Sequence, residues 1–271
     1  MQTGSDHVRQ LSPTAAFGHV VKSTFHNLPF AFHLSWPWLL VIAPANILLN
    51  VYSLTQVPDN TNPTGREAIM GGLGVIIGLL TAFSFSSIAV SWHRYILLDE
   101  VPVGWARLRA DSTVWRYFGN TILIALRAMV TVLPVMLLGG VLAWALGNAG
   151  VVLYVIMAVG CALWAFVLTY RLSIKLPAIA LQRRDFFMGN ALAASEGNFW
   201  QLLGLGFFMA MIFAAMVLVV LGVSFLQVSS GSEIIMAIGF AIQVLFNWVV
   251  TIMGVTLFTS LYGFFVEGRE F

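Results

Sequence analysis

Polar and apolar positions separate into long blocks along this chain. No Asp, Glu, Lys or Arg occurs in residues 128–170, 197–232 or 234–266, and each interval is longer than the roughly 20 residues a helix needs to cross a bilayer. Two earlier apolar runs, residues 36–54 and 68–92, bring the predicted spans to six. The third and fourth are divided only by Gly147-Asn148-Ala149-Gly150, a tight turn that predicts an antiparallel hairpin. A polar loop rich in Pro, Asn and Thr, residues 55–66, separates the first two spans.

Shorter amphipathic stretches lie between these blocks. Ser12-Pro13 predicts a helix start, with the serine capping free amides and proline in the first turn. Beyond it Phe17, Val20, Val21, Phe25 and Leu28 recur at helical spacing, opposite His19, Lys22 and His26, as in a helix lying in the membrane interface. His19, His26 and His33 recur seven apart and read as solvated interfacial histidines. Residues 1–11 read as a disordered tail.

Two hinges, residues 94–115 and 171–200, superimpose without a gap over their second halves. Glu100-Val101-Pro102-Val103-Gly104 corresponds to Asp185-Phe186-Phe187-Met188-Gly189, and eleven steps lead from each glycine to Trp115 or Trp200. Thr14-Ala15-Ala16-Phe17-Gly18 repeats the spacing more loosely. The expected fold is therefore an all-α integral membrane protein: six transmembrane helices in three parallel-repeat hairpins, each preceded by a cytoplasmic interfacial amphipathic helix. The expected units are residues 12–98, 99–181 and 182–271, forming one membrane domain. Glu100 and Asp185 are expected to cap the short helices that follow them.

Composition agrees with the pattern: 59% of residues are hydrophobic, 9% are charged, and mean hydropathy is +0.91. The net charge of +2 is too small to suggest nucleic acid, and its placement sets topology instead. Basic residues cluster before the first span, between the second and third, and between the fourth and fifth, with Arg66 alone in the opposite loops. By the positive-inside rule both termini and both hinges are cytoplasmic. A single cysteine, Cys161, excludes a disulfide within the chain.

Candidate chemistry is sparse, and no cofactor, metal-binding or catalytic motif is recognisable. His93, Arg94, Asp99 and Glu100 crowd one rim, but their spacing matches no metal signature. His93 and Asp99 are the candidates an embedded lipid enzyme would offer, and Arg94 is expected to snorkel to headgroups or carbonyls. Arg127 stands out, nine residues beyond Phe118 and so about 13 Å along the third helix. With Asn46, Asn50, Thr131, Gln243 and Asn247 it predicts a polar intramembrane cavity or a lipid headgroup site, unless it snorkels back to the surface. Arg94, Arg171, Lys175, Arg183 and Arg184, flanked by Trp115 and Trp200, are candidate interfacial headgroup contacts. Gly74 and Gly78 form a small-xxx-small pair suited to close helix packing.

Three runs carry a resemblance: Ser91-Trp92-His93-Arg94-Tyr95-Ile96-Leu97-Leu98, Leu176-Pro177-Ala178-Ile179-Ala180-Leu181 and Glu196-Gly197-Asn198-Phe199-Trp200. They are similar to bacterial polytopic inner-membrane proteins related to the membrane domain attached to some glycerophosphodiester phosphodiesterases. The resemblance implies a helical inner-membrane domain connected with lipid metabolism, and it carries over no catalytic residue. The expected function is thus non-enzymatic: binding or organising lipids or partner membrane proteins, as a homo-oligomer. The competing expectation is a small-solute transporter or channel built around Arg127.

Overall fold

A computed structural model describes residues 9–55, 65–230 and 232–271. The expected tail therefore lies outside the described residues up to residue 8, as does most of the 55–66 loop. Among the described residues the elements are α1 (Pro13–His26), α2 (Leu28–Thr55), α3 (Gly65–Leu98), a 3-10 turn (Gly104–Arg107), α4 (Ser112–Leu146), α5 (Asn148–Ser173), α6 (Lys175–Ala180), α7 (Met188–Ala194), α8 (Phe199–Ser230) and α9 (Glu233–Phe265). Six of them, α2, α3, α4, α5, α8 and α9, are long and apolar enough to cross a membrane. The chain is a multi-pass membrane protein.

Three pairs of neighbours in sequence pack together: α2 on α3, α4 on α5, and α8 on α9. The α4–α5 turn is the tightest. Gly147 adopts φ +57°, and a Cβ on Gly150 would lie 2.0 Å from the Leu142 carbonyl oxygen, so neither position accommodates a side chain without strain. Gly74 and Gly78, by contrast, face open space within the chain. Among the described residues, no heavy atom lies within 4 Å of a Cβ at either position.

The well-packed core lies at the end of the bundle that carries both hinges and both chain ends. Trp92, Leu172, Ile174, Ile179, Leu202 and Ile252 are fully buried there. Short α6 plugs this end: Leu176 to Ala180 are all buried, and the helix packs on α3, α4 and α9. Arg94 on α3 fixes it by donating to the Ala180 carbonyl at 3.0 Å. The same guanidinium donates from Nε to Glu100 Oε2 at 2.8 Å.

Glu100 therefore ties back to α3 and caps nothing. The cap of α4 is Asp111, whose side chain accepts from the Thr113 and Val114 amides at 3.0 and 3.1 Å. Only a single 3-10 turn follows Pro102, whereas the second hinge holds a seven-residue helix, α7. That helix is not capped by Asp185. Asn190 Oδ1 accepts from the Phe187 amide at 2.8 Å instead.

The Arg94 bond holds the Glu100 carboxyl below the ordinary carboxylate range, against the opposing effect of partial burial. A lowered native value means the pair's contribution is complete above the ordinary glutamate range and is lost as pH falls through the native value. With the Glu100 side chain 40% exposed, solvent screening keeps this below about 1 kcal/mol. Glu100→Gln is accordingly expected to flatten the acid limb of a melting-temperature profile without changing its plateau by more than this amount.

At the start of the described chain Arg9 and Leu11 are pinned, where a tail was expected up to residue 11. Asn198, fully buried in the turn before α8, accepts from the Leu11 amide at 2.8 Å and donates to the Arg9 carbonyl at 3.0 Å. Arg9 reaches across to the other terminus, donating to the Phe264 and Arg269 carbonyls, both at 2.8 Å, and lying 4.1 Å from the centre of the Phe264 ring. From there α1 runs over α8 and α9 with Ser12 as its cap. Its buried stripe is Ala16, Val20 and Thr24, and Phe25, expected on the apolar face, is exposed.

Candidate functional site

Beyond the packed end, large apolar side chains are exposed on all six long helices. On α4 they run from Ile122 through Leu126 and Leu137 to Leu146, on α5 from Val151 to Trp164, and on α8 from Phe207 to Leu226. This band has the thickness of a bilayer core. From Ile122 to the end of α4 at Leu146 the helix rises about 36 Å, enough to cross a hydrocarbon layer of about 30 Å. Arg127 therefore stands just over one turn inside the apolar band, about 7 Å along the axis beyond Ile122. The first turns of α4 belong to the packed end, where Val114 and Tyr117 are buried.

The basic residues divide into those the protein uses and those it leaves open. Arg94 is bound to Glu100 and Ala180; Arg171 donates to Ser195 Oγ at 3.0 Å and to the Leu192 carbonyl at 2.6 Å; Arg183 donates to the Tyr262 hydroxyl at 2.5 Å. These three hold the hinges together. Among the described residues Arg127 bonds only the sulfur of Met188, 3.1 Å from Nη1, and Lys175 on α6 lies close enough to Arg116 and Arg127 to feel both charges.

Arg116 and Arg127 are eleven residues apart, three turns along one face of α4, about 16 Å along the axis. None of Arg116, Lys175 and Arg127 has a carboxylate partner among the described residues. Lys175 is repelled by both arginines, so its charge is most stable with an anion or ample water beside it. Arg116 was absent from the sequence-based set, although its spacing to Arg127 was a readable signal. Arg184 is exposed, and the flanking tryptophans Trp115 and Trp200 are 59% and 75% exposed.

A second site lies among α2, α3 and α9, a cavity of about 400 Å³ lined by Asn46, Thr81, Gln243, Asn247, Trp248 and Thr251 together with apolar residues. Asn46 Nδ2 donates to the Ile42 carbonyl at 2.9 Å and to Thr81 Oγ1 at 3.3 Å. Gln243 donates to Ser224 Oγ on α8 at 3.1 Å, and Asn247 to the Gln243 carbonyl at 3.0 Å. Among the described residues the lining carries amides, hydroxyls and the Trp248 indole but no charged group.

Of the six residues expected to share a polar cavity, the structure brings Asn46, Gln243 and Asn247 together. Arg127 is not among its lining residues, and Thr131 bonds the Ala128 carbonyl on α4 at 2.7 Å. The Asn50 side chain lies outside the described ones. Thr81, Trp248 and Thr251 escaped the sequence reading. Gln243, Asn247 and Thr251 nonetheless recur every four residues, a polar stripe on an apolar helix. Although Pro37 and Pro44 fall inside α2, the helix continues through both.

The rim histidine is wholly internal. His93 is fully buried, with Nδ1 2.8 Å from Thr259 Oγ1 and Nε2 3.1 Å from the Tyr117 hydroxyl. Thr259 gives its own proton to the Val255 carbonyl at 2.9 Å, which assigns it as acceptor from Nδ1–H and leaves Nε2 to accept from Tyr117. A neutral imidazole thus joins α3, α4 and α9. Asp99 is not one of its partners.

No protein-family model, curated protein or solved structure matches this chain.

Proposed function

We propose that this is a non-enzymatic inner-membrane protein that binds or organises lipids, with both termini and both hinges at the cytoplasmic face. The observation that carries this reading is the group Arg116, Lys175 and Arg127, which has no carboxylate partner among the described residues and spans the start of an apolar band long enough to cross a bilayer. An anionic lipid headgroup at that level would supply the missing charge by charge-assisted hydrogen bonds. The resemblance to the membrane domain of glycerophosphodiester phosphodiesterases agrees with a lipid role. The open face at Gly74 and Gly78 suits a second copy or a partner membrane protein, so the functional unit is taken to be a homo-oligomer or a complex.

The experiment is extraction into native-lipid discs, with bound lipids and partners identified by mass spectrometry and flux measured in parallel after reconstitution. Stoichiometric anionic lipid supports the proposal. Saturable flux of a small solute without retained lipid supports the competing transporter or channel. That reading draws on the polar cavity, and its site would be Asn46, Gln243 and Asn247 in place of Arg127.

Orientation has its own test. Single cysteines at Ser112 and Ser229 in a Cys161→Ser background are expected to differ towards an impermeant thiol reagent on cells stripped of their outer membrane. Ser229, at the end opposite the hinges, should label and Ser112 should not; the reverse pattern would invert the topology.

We also propose that the three helix pairs are parallel repeats, with residues 100–181 equivalent to residues 185–266 and residues 14–98 a looser third copy. Each pair follows a short helical element, α1, the 3-10 turn or α7, in support of this. An experimental structure in which Gly104 and Gly189, or Trp115 and Trp200, occupied unrelated places would refute it.

A further inference from the structure

Arg116 and Arg127 share one face of α4, about 16 Å apart along its axis, and no acidic residue lies between them in the sequence. Both are exposed. Lys175 opens α6, which packs on α4, and it feels the charges of both arginines. Beyond Arg127 the same face of α4 continues as exposed Val130 and Leu138. Cationic over three turns and apolar after them, this face has the polarity of a phospholipid.

Its dimensions select among anionic lipids. A guanidinium and a phosphate make their strongest contact as a fork of two parallel hydrogen bonds, so each arginine is best matched by a phosphate of its own. For a single phosphate to take both forks across about 16 Å, the two side chains would have to extend straight towards each other along the helix. The Arg127 guanidinium instead lies against α7, with Nη1 3.1 Å from the Met188 sulfur. Charge points the same way. One phosphodiester offsets one of three positive charges, and Arg127 stands inside the apolar band, where a bare charge is costly. Two phosphodiesters leave only one charge in excess.

We propose that Arg116, Lys175 and Arg127 bind one lipid carrying two phosphodiesters, of the cardiolipin class, in preference to lipids carrying one. One phosphate takes the Arg116 fork and the other the Arg127 fork, and the Lys175 ammonium serves both as a point charge. The acyl chains follow Val130 and Leu138 along α4. A soluble diphosphate would leave that apolar stretch uncovered. This rests on the reading of the protein as a lipid binder and names the lipid that its cations select.

The test reconstitutes the protein in phosphatidylethanolamine discs containing cardiolipin and phosphatidylglycerol at equal phosphate, exchanges it into detergent, and quantifies the lipids that stay bound. Wild type is expected to retain cardiolipin about tenfold over phosphatidylglycerol per phosphate, the least that a further hydrogen bond to a charged group contributes. Arg116→Gln alters an exposed side chain without a carboxylate partner among the described residues, and it should bring the two lipids level. A preference owed to cardiolipin's larger acyl surface would survive that change. Lys22→Gln removes an exposed cation on α1, outside the group, and should leave the preference as in wild type. Washing with excess inorganic pyrophosphate should displace neither lipid. Displacement by pyrophosphate, or a cardiolipin preference that persists in Arg116→Gln or is lost in Lys22→Gln, would overturn the inference. Wild type retaining both lipids equally per phosphate would overturn it too and leave the proposed function standing, whereas wild type retaining neither would remove both.

Discussion

Asn198→Ala is expected to lower stability by about 3 kcal/mol, read as the loss of unfolding free energy in detergent. The side chain is fully buried and makes three hydrogen bonds: it accepts from the Leu11 amide and donates to the Arg9 and Glu196 carbonyls. Truncation leaves the Leu11 N–H without an acceptor in the packed end, a penalty of about 1–3 kcal/mol, and adds the cost of the space left behind. Asn198→Asp should be no better, since it keeps the acceptor but turns a carboxylate oxygen towards two carbonyls. The same substitution should release the segment before α1, including the bonds from Arg9 to Phe264 and Arg269, and expose it to protease. An unchanged melting curve with an unchanged cleavage pattern would mean that the two chain ends are not clasped in this way.

His93→Leu is expected to cost about 2–4 kcal/mol although it replaces a polar side chain by an apolar one. Leucine fills most of the volume, but the Tyr117 hydroxyl then loses its only partner among the described residues. Thr259 is less affected because it still donates to the Val255 carbonyl. A double-mutant cycle with Tyr117→Phe isolates the pair: after His93→Leu the second change should be nearly neutral, giving a coupling of about 1 kcal/mol or more. Additive losses would show that the imidazole acts by volume alone and does not join α3 to α4 through a hydrogen bond.

The six long helices were readable from the sequence because their signal is local: charge-free runs, a single tight turn at Gly147, and tryptophans near their ends. The hinges were not, and for a physical reason. Arg183 looks like a headgroup contact in sequence, yet the Tyr262 hydroxyl that takes up its donor lies 79 residues away, and the carbonyl that Arg94 reaches, that of Ala180, is 86 residues distant. Asn198 shows no signal for a clasp whose other half is 187 residues distant. Arg127 does not join the asparagines because the cavity forms among α2, α3 and α9, an arrangement that no local signal on α4 reveals, and its neighbours are Arg116 and Lys175 instead. Asn46, Gln243 and Asn247, by contrast, came together as their polar character on apolar helices predicted, since polar groups in such segments gain most by meeting one another.

The proposed lipid role depends on Arg116, Lys175 and Arg127 holding an anion together. The most direct measurement is the amount of phosphatidylglycerol retained per chain by wild type, by Arg127→Leu and by the pair Lys175→Gln with Arg116→Gln, all purified from identical mixed-lipid discs. If the three cations share one headgroup, Arg127→Leu lowers retention several-fold, the double variant lowers it at least as far, and melting temperatures rise or stay level as like-charge repulsion is relieved. Retention equal to wild type in both variants would contradict the proposal and leave Arg127 as a residue that snorkels to the surface without a ligand.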